Sequence, residues 1–303
     1  MLDIAVALNR LTKKELPNDF RVIDVHSMSI VRPSMVPRFV TLSYMWPEDH
    51  NKEYVHLRID NVKQLEVPGS LAKIKLPKLI IDAITLCREI GEAYTWIDSL
   101  SIVQDDAASK HSQISAMDKI YHAAILCVIA ALDDREDLGL PGCSTRARAS
   151  SVWRPRIYDD WSGRLDLIPH TIHEIVNPSL WNTRGWTFQE RLFSKRRLFI
   201  TEFQVFYECS LGSADESPYW QKRIPLTCPV SLEIIAKNNE VIKSQASVEI
   251  PGFRERAWEP RLYADMTYSL TKDATLENYF GWVENYSTRQ LSFGSDRLNA
   301  FAG

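Results

Sequence analysis

Ala124-Ile125-Leu126-Cys127-Val128-Ile129-Ala130-Ala131-Leu132 is an unbroken apolar run of strand length. A strand with one wet face alternates polar and apolar residues, so a run without alternation predicts burial on both faces, as in the centre of a parallel sheet covered by helices. The flanking pattern agrees. Arg21–His26 and Phe39–Tyr44 read as short strands rich in β-branched and aromatic residues, and a third is expected at Tyr54–Ile59. Lys78–Ile90 places apolar residues at helical spacing, follows Leu76-Pro77 and stops at Gly91. Tyr94–Asp98 reads as a strand entering a polar loop, Ser99–Ser109. A helix over His111–His122 then carries Ile114, Met117, Ile120 and Tyr121 on one face. Strand and helix patterns alternating in this way predict a wound α/β sheet.

Periodicity fades from Asp133 to Pro178, where loop with short strands is expected. Gly185–Ser194 reads as a short helix, and Arg197–Thr201 with Gln204–Cys209 as a hairpin around Glu202-Phe203. Residues 210–265 are polar and irregular, and a last helix is expected over Leu276–Thr288.

Composition removes several function classes. With 36 Lys and Arg against 39 Asp and Glu, the formal net charge is −3 and no basic run exceeds a triplet, which argues against a nucleic-acid partner. No stretch reaches the length of a membrane span, and the first twenty residues lack the charge order of a secretory signal. Five widely spaced cysteines without a CxxC pair suggest a reducing, cytoplasmic setting. The seven histidines do not pair with cysteine at zinc spacing, and His170-x-x-His173 has no third ligand nearby, so no metal site is expected. Nucleophile-elbow, P-loop and dinucleotide glycine motifs are absent.

Polar residues just after strand patterns are the first places to seek a ligand crevice. Ser43-Tyr44-Met45-Trp46 is one set; Asp98-Ser99 with Gln104-Asp105-Asp106 is another. Hydroxyls, carboxylates and flat rings could hold a sugar and a base, or could be turn chemistry with an Asp capping the next helix. A third set is Trp181–Arg191. On a helix Trp186 and Glu190 share a face, so an indole could pack a ring while the carboxylate reaches its sugar. Thr187-Phe188-Gln189-Glu190 also fits a capping box, in which the Thr187 N–H would occupy Glu190.

These segments together resemble a fungal heterokaryon-incompatibility (HET) domain. The likeness is carried by Leu42–Trp46, Leu76-Pro77 and its helix, Tyr94–Asp106, Gln113–Met117 with Ile120-Tyr121 and Ala124, Gly139–Gly142, and Arg184–Arg191. It extends to Tyr286-Ser287-x-Arg289-x-Leu291 and Asp296-Arg297-Leu298. Two positions depart from the family pattern. Pro47 stands where Gly follows the SYxW tryptophan, which removes a backbone N–H, and Ser101 stands where the family has Cys, which argues against a thiol nucleophile there.

The resemblance implies a distantly TIR-like, flavodoxin-like wound sheet, mostly parallel and flanked by helices, with family-specific insertions and a C-terminal helical extension. It divides the chain into a core over residues 1–210 and an extension over 211–303. It also implies a trigger of regulated cell death in non-self recognition, self-associating when active and linked to an NLR-like receptor. Many TIR domains cleave NAD⁺ with a glutamate at the offset Trp186 and Glu190 show, which gives Glu190 the catalytic role. NAD⁺ or a related nucleotide would be a substrate, with no cofactor. Tyr44, Trp46 and Trp186 would stack on its rings, Arg184 and Arg191 would pair with the pyrophosphate, and Ser43, Asp98 and Gln104 would bond the sugars, with Ser99, Asp105 and Gln189 beside them. A non-catalytic signalling module and a metabolite sensor remain the alternatives.

Overall fold

The computed structural model describes residues 16–46, 54–133, 137–144, 146–149, 154–157, 165–168, 172–209, 212–216, 276–291, 294 and 297–301. Pro47, His170 and nearly all of the 210–265 segment lie outside them. The strands among the described residues are β1 (Val22–Asp24), β2 (Ser29–Val31), β3 (Val40–Ser43), β4 (Tyr94–Trp96), β5 (Leu126–Ala130), β6 (Arg154–Ile157), β7 (Leu165–Ile168), β8 (Arg196–Ile200), β9 (Val205–Cys209) and β10 (Gly212–Asp215). The α-helices among the described residues are α1 (Val62–Leu65), α2 (Lys78–Glu89), α3 (Asp98–Ser101), α4 (Ala107–Ile114), α5 (Met117–Ala123), α6 (Ile172–Val176), α7 (Gly185–Phe193) and α8 (Leu276–Ser287).

Eight strands form one sheet in the order β10-β9-β8-β5-β3-β4-β1-β2, and β6 and β7 form a separate hairpin. The expected mostly parallel sheet is corrected to a mixed one. The pairings β8–β5, β5–β3 and β3–β4 are parallel, whereas β10–β9, β9–β8, β4–β1 and β1–β2 are antiparallel. The parallel centre follows from the apolar run: β5 is buried along its whole length. The outer pairs β1–β2, β8–β9 and β9–β10 are antiparallel because they are hairpins, whereas β1 meets β4 antiparallel from a distant part of the chain. Ile200 pairs with Val205 across a tight turn, and Asp24 pairs with Ser29 across another.

Period-two alternation feeds two cores. Val40, Leu42 and Tyr44, with Leu126, Val128 and Ala130, face a cluster that includes Ile80, Ala83, Ile84 and Cys87 of α2. Phe39, Cys127 and Ile129 face the other, with Ile120 and Tyr121 of α5 and the indoles of Trp96 and Trp181. α2 ends as its sequence predicts. Gly91 has φ +87°, its N–H bonds Arg88 O at 3.1 Å, and the Glu92 N–H bonds Cys87 O at 3.0 Å, the paired bonds of a left-handed helix stop.

Two further expectations are corrected. Tyr54–Ile59 is not a strand: the Leu57 N–H donates to Ser99 O at 2.9 Å and Leu57 O accepts from the Gln104 N–H at 2.8 Å, so this segment docks on α3 instead of joining the ladder. The helix expected over His111–His122 is two helices broken at Ser115-Ala116. The first starts earlier, at Ala107, because the Asp106 carboxylate accepts from the Ala108 and Ser109 N–H groups at 3.1 Å. α8 covers α7: Phe188 and Leu192 pack with Trp282, Tyr286 and Phe301.

Candidate functional site

The chain leaves β3 towards β4 and leaves β5 towards β8, in opposite directions across the sheet. In an open sheet that reversal creates a crevice at the carboxyl ends of the strands concerned. Ser43 is the last residue of β3, and by strand alternation its side chain lies on the α5 face.

α7 brings Glu190 to this point. The helix begins at Gly185, so Glu190 is its sixth residue and lies too deep for a capping box. The Glu190 carboxyl instead accepts from the Ser43 hydroxyl, and Ser43 Oγ in turn accepts from Trp181 Nε1 at 2.7 Å. Tyr121 reaches the same carboxyl from α5, with its hydroxyl also 3.4 Å from Leu42 O. Glu190 is 7% exposed. Burial pushes its carboxyl up to about 7, against the lowering pull of the Arg184 guanidinium and the Ser43 hydrogen bond.

A second carboxylate stands nearby. Asp98, the first residue of α3, accepts from Trp46 Nε1 at 2.9 Å, and burial raises it above the ordinary carboxylate range. Tyr44 donates to Ser99 Oγ at 2.8 Å, and Arg184 Nη1 donates to Tyr44 O at 2.7 Å. The Arg184 cation stabilises the charged forms of both Asp98 and Glu190. Ser43, Tyr44, Trp46, Asp98, Ser99, Arg184 and Glu190 thus form one connected cluster. Two carboxylates raised by burial, with Asp98 adding to the rise of Glu190 and the Arg184 cation favouring the charged form of both, can hold sugar hydroxyls and oppose a developing positive charge.

The remaining expected residues lie elsewhere. Gln104 Nε2 donates to Asp98 O at 3.0 Å and Ile102 O at 3.1 Å, shaping the loop that presents Asp98. Asp105 is exposed and accepts from the Ile59 N–H at 2.9 Å. Trp186 packs half-buried against the cluster that holds Trp181. Gln189 turns towards the C-terminal segment, with Nε2 3.5 Å from Asn299 O. Arg191 is buried with its guanidinium 5.0 Å from the Phe199 ring and 3.6 Å from Glu208, which Arg197 also approaches at 3.2 Å. Successive helical residues diverge by about 100°, so neither neighbour of Glu190 can share its direction. Ser101, at the family's cysteine position, is buried, and its hydroxyl accepts from the Ile97 N–H at 3.2 Å.

Two members carry no assigned role in the sequence reading. Trp181 opens the third candidate set and Tyr121 falls on the apolar face of its helix pattern, yet both point polar atoms at the Ser43–Glu190 pair. The available signal was Ser43 itself, a hydroxyl on the inner side of a fully buried strand that requires polar company.

Beside the cluster, Tyr44, Trp46, Tyr54, His56, Ile80 and Ser99 help line a cavity of about 50 Å³, and the Trp46 ring stacks on His56 at 4.8 Å. That space suits a few waters, not a dinucleotide. Glu190 is not among its lining residues. Among the described residues, no group of three His, Cys, Asp or Glu is arranged to hold a metal ion, and no helix is long and apolar enough to cross a membrane.

Comparison with curated proteins and with solved structures gave no match in either case. A family model described as heterokaryon incompatibility protein (HET) matches residues 39–190, half of the chain, from the residue before β3 to Glu190. The chain belongs to the heterokaryon incompatibility (HET) family.

Proposed function

We propose that this chain is a cell-death effector of fungal non-self recognition that hydrolyses NAD⁺ at the nicotinamide–ribose bond, with Glu190 as its catalytic carboxylate. The observation that carries this reading is the meeting of Glu190, Asp98 and Arg184 with Tyr44 and Trp46 at the carboxyl edge of the parallel strands. The four parallel central strands are the part of the fold this reading takes as TIR-like.

The chemistry asks little of the protein. The C1′–N bond breaks with its electron pair going to the ring nitrogen, nicotinamide leaves neutral, and water adds at C1′ and releases a proton. What needs stabilising is an oxocarbenium-like ribose. Ionised Glu190 opposes that charge and holds ribose hydroxyls, an effect strengthened where water is excluded. Asp98 and Ser43 bond the sugar, Tyr44 and Trp46 stack on a ring, and Arg184 meets the pyrophosphate. The small cavity requires the site to widen on ligand entry, and self-association, under an NLR-like receptor, is the event we assign to that opening.

One observation favours a second reading, a non-catalytic interaction module: the Glu190 carboxyl is buried and does not line the cavity. Nicotinamide release from NAD⁺, followed for dilute and for artificially clustered protein, separates the two. Release in the clustered state supports the enzyme, and its absence in every assembly state supports the module. Thermal stabilisation by NAD⁺ without product would mark a sensor.

A further inference from the structure

Trp181 is the second residue of the short 3₁₀ turn Leu180–Thr183 before α7, and its side chain is completely buried, edge-on to Phe199 with centroids 6.1 Å apart. Its Nε1 lies 2.7 Å from Ser43 Oγ. A serine hydroxyl has one proton and two acceptor positions, whereas an indole N–H can only donate. Trp181 therefore takes an acceptor position, and the Ser43 proton goes to Glu190 Oε2. An N–H donated into a hydroxyl also polarises it and strengthens the bond it donates onward.

We infer that Trp181 is a positioning residue, which acts through the Ser43 hydroxyl to keep the Glu190 carboxyl a hydrogen-bond acceptor facing the end of β3. This deepens the reading of Glu190 as the working carboxylate and rests on it for its functional meaning, but the contact chain is testable without any substrate. The groups facing Glu190 from the surrounding elements are Ser43 of β3, Asp98 of α3, Tyr121 of α5, Cys127 of β5, and Arg184 just before α7. Arg184 and the two hydroxyls favour the charged carboxylate, and Asp98 opposes it.

Two roles for Trp181 predict opposite signs. If it only fills space, Trp181→Phe lets water towards Glu190 and lowers the pH at which the carboxyl titrates. If it orients Ser43, the same change weakens the bond to the charged form and raises that pH.

The test is a carboxyl-carbon NMR titration of the full chain with ¹³C-labelled glutamate, in which Glu190→Gln identifies the resonance. Trp181→Phe and Ser43→Ala are each expected to raise the Glu190 midpoint by about one pH unit, a tenfold change in the protonation equilibrium. The double variant should match Ser43→Ala alone. An unchanged or lowered midpoint in Trp181→Phe overturns the inference, and so does an equal rise on top of Ser43→Ala. A measurement that leaves residue 181 intact guards against a misfolded variant: the Trp181 indole proton resonance should move with the Glu190 midpoint in the native chain and not in Ser43→Ala. An indole resonance insensitive to that midpoint in the native chain also overturns it. Because no NAD⁺ is present, failure here leaves the hydrolysis reading to its own assay.

Discussion

Ser43 donates its hydroxyl proton to Glu190 across 147 positions of sequence, joining the end of a central parallel strand to the middle of a helix. The pair is buried, and burial sets the Glu190 carboxyl about where it is half ionised at neutral pH.

That placement makes stability depend on pH. The folded carboxyl titrates at about 7, above its value in an unfolded chain. Its stabilising state is the protonated one, complete below the unfolded value and lost as pH rises through about 7. Asp98, also raised by burial, acts in the same direction. Glu190→Gln should therefore flatten the decline between about pH 4 and pH 7 and leave the variant more stable at pH 8, by on the order of 2 kcal/mol. Urea unfolding at a series of pH values measures this. A wild-type stability that climbs through that window would contradict the placement of the carboxyl.

Arg184 holds the opposing charge. Replacing it by methionine keeps the stem and removes the cation that favours ionised Glu190 and Asp98. The Glu190 titration should move further upward, and the pH at which any NAD⁺ cleavage reaches half its maximum should move with it. On the proposed reading ionised Glu190 is the working form, so activity should rise with pH through this midpoint. A pH–rate profile of wild type and Arg184→Met checks both the direction and the coincidence.

The helix that carries Glu190 is anchored by the chain's C-terminal segment. The Gly185 N–H donates to Gln290 O at 2.7 Å, the Gln290 N–H donates to Thr183 O at 2.7 Å, and Arg289 bonds Asn182 Oδ1 at 2.7 Å and Thr187 Oγ1 at 3.0 Å. Gly185 is needed for close approach: a Cβ there would lie 2.3 Å from Leu291 Cδ2 and 2.6 Å from Leu291 Cγ. Gly185→Ala should cost about 1–3 kcal/mol through overpacking, and Leu291→Ala should relieve much of that cost in the double variant. Chemical denaturation of the four chains of this cycle gives the coupling; additive losses would show that the contact does not limit the fit.

Much of the core was legible in the sequence for a physical reason: β5 and α2 bury so much apolar side chain that one reading fits each run. The antiparallel flanks were less so. β2 is three residues long, too short for alternation to register, and its direction is fixed by the turn at Asp24–Ser29. Tyr54–Ile59 has strand-like composition, but its Leu57 backbone groups found partners on α3 and the following loop.

At the site, local spacing identified the helix of Glu190 and the strand ends that meet it. It overreached with Gln189 and Arg191, because residues adjacent in a motif point in different directions on a helix. Trp181 lies within a candidate set of the sequence, but its part in the site follows only from the fold, which shows which hydroxyl receives its N–H.

The central claim is that Glu190 carries the cleavage of NAD⁺. Its most direct measurement is chromatographic quantification of nicotinamide and ADP-ribose formed by wild type and Glu190→Gln at matched concentration and assembly state, with thermal melts confirming that both are folded. The account predicts turnover by wild type and a loss on the order of 10²-fold or more in the variant. Equal turnover by the two proteins, or none by wild type in any assembly state, would contradict it.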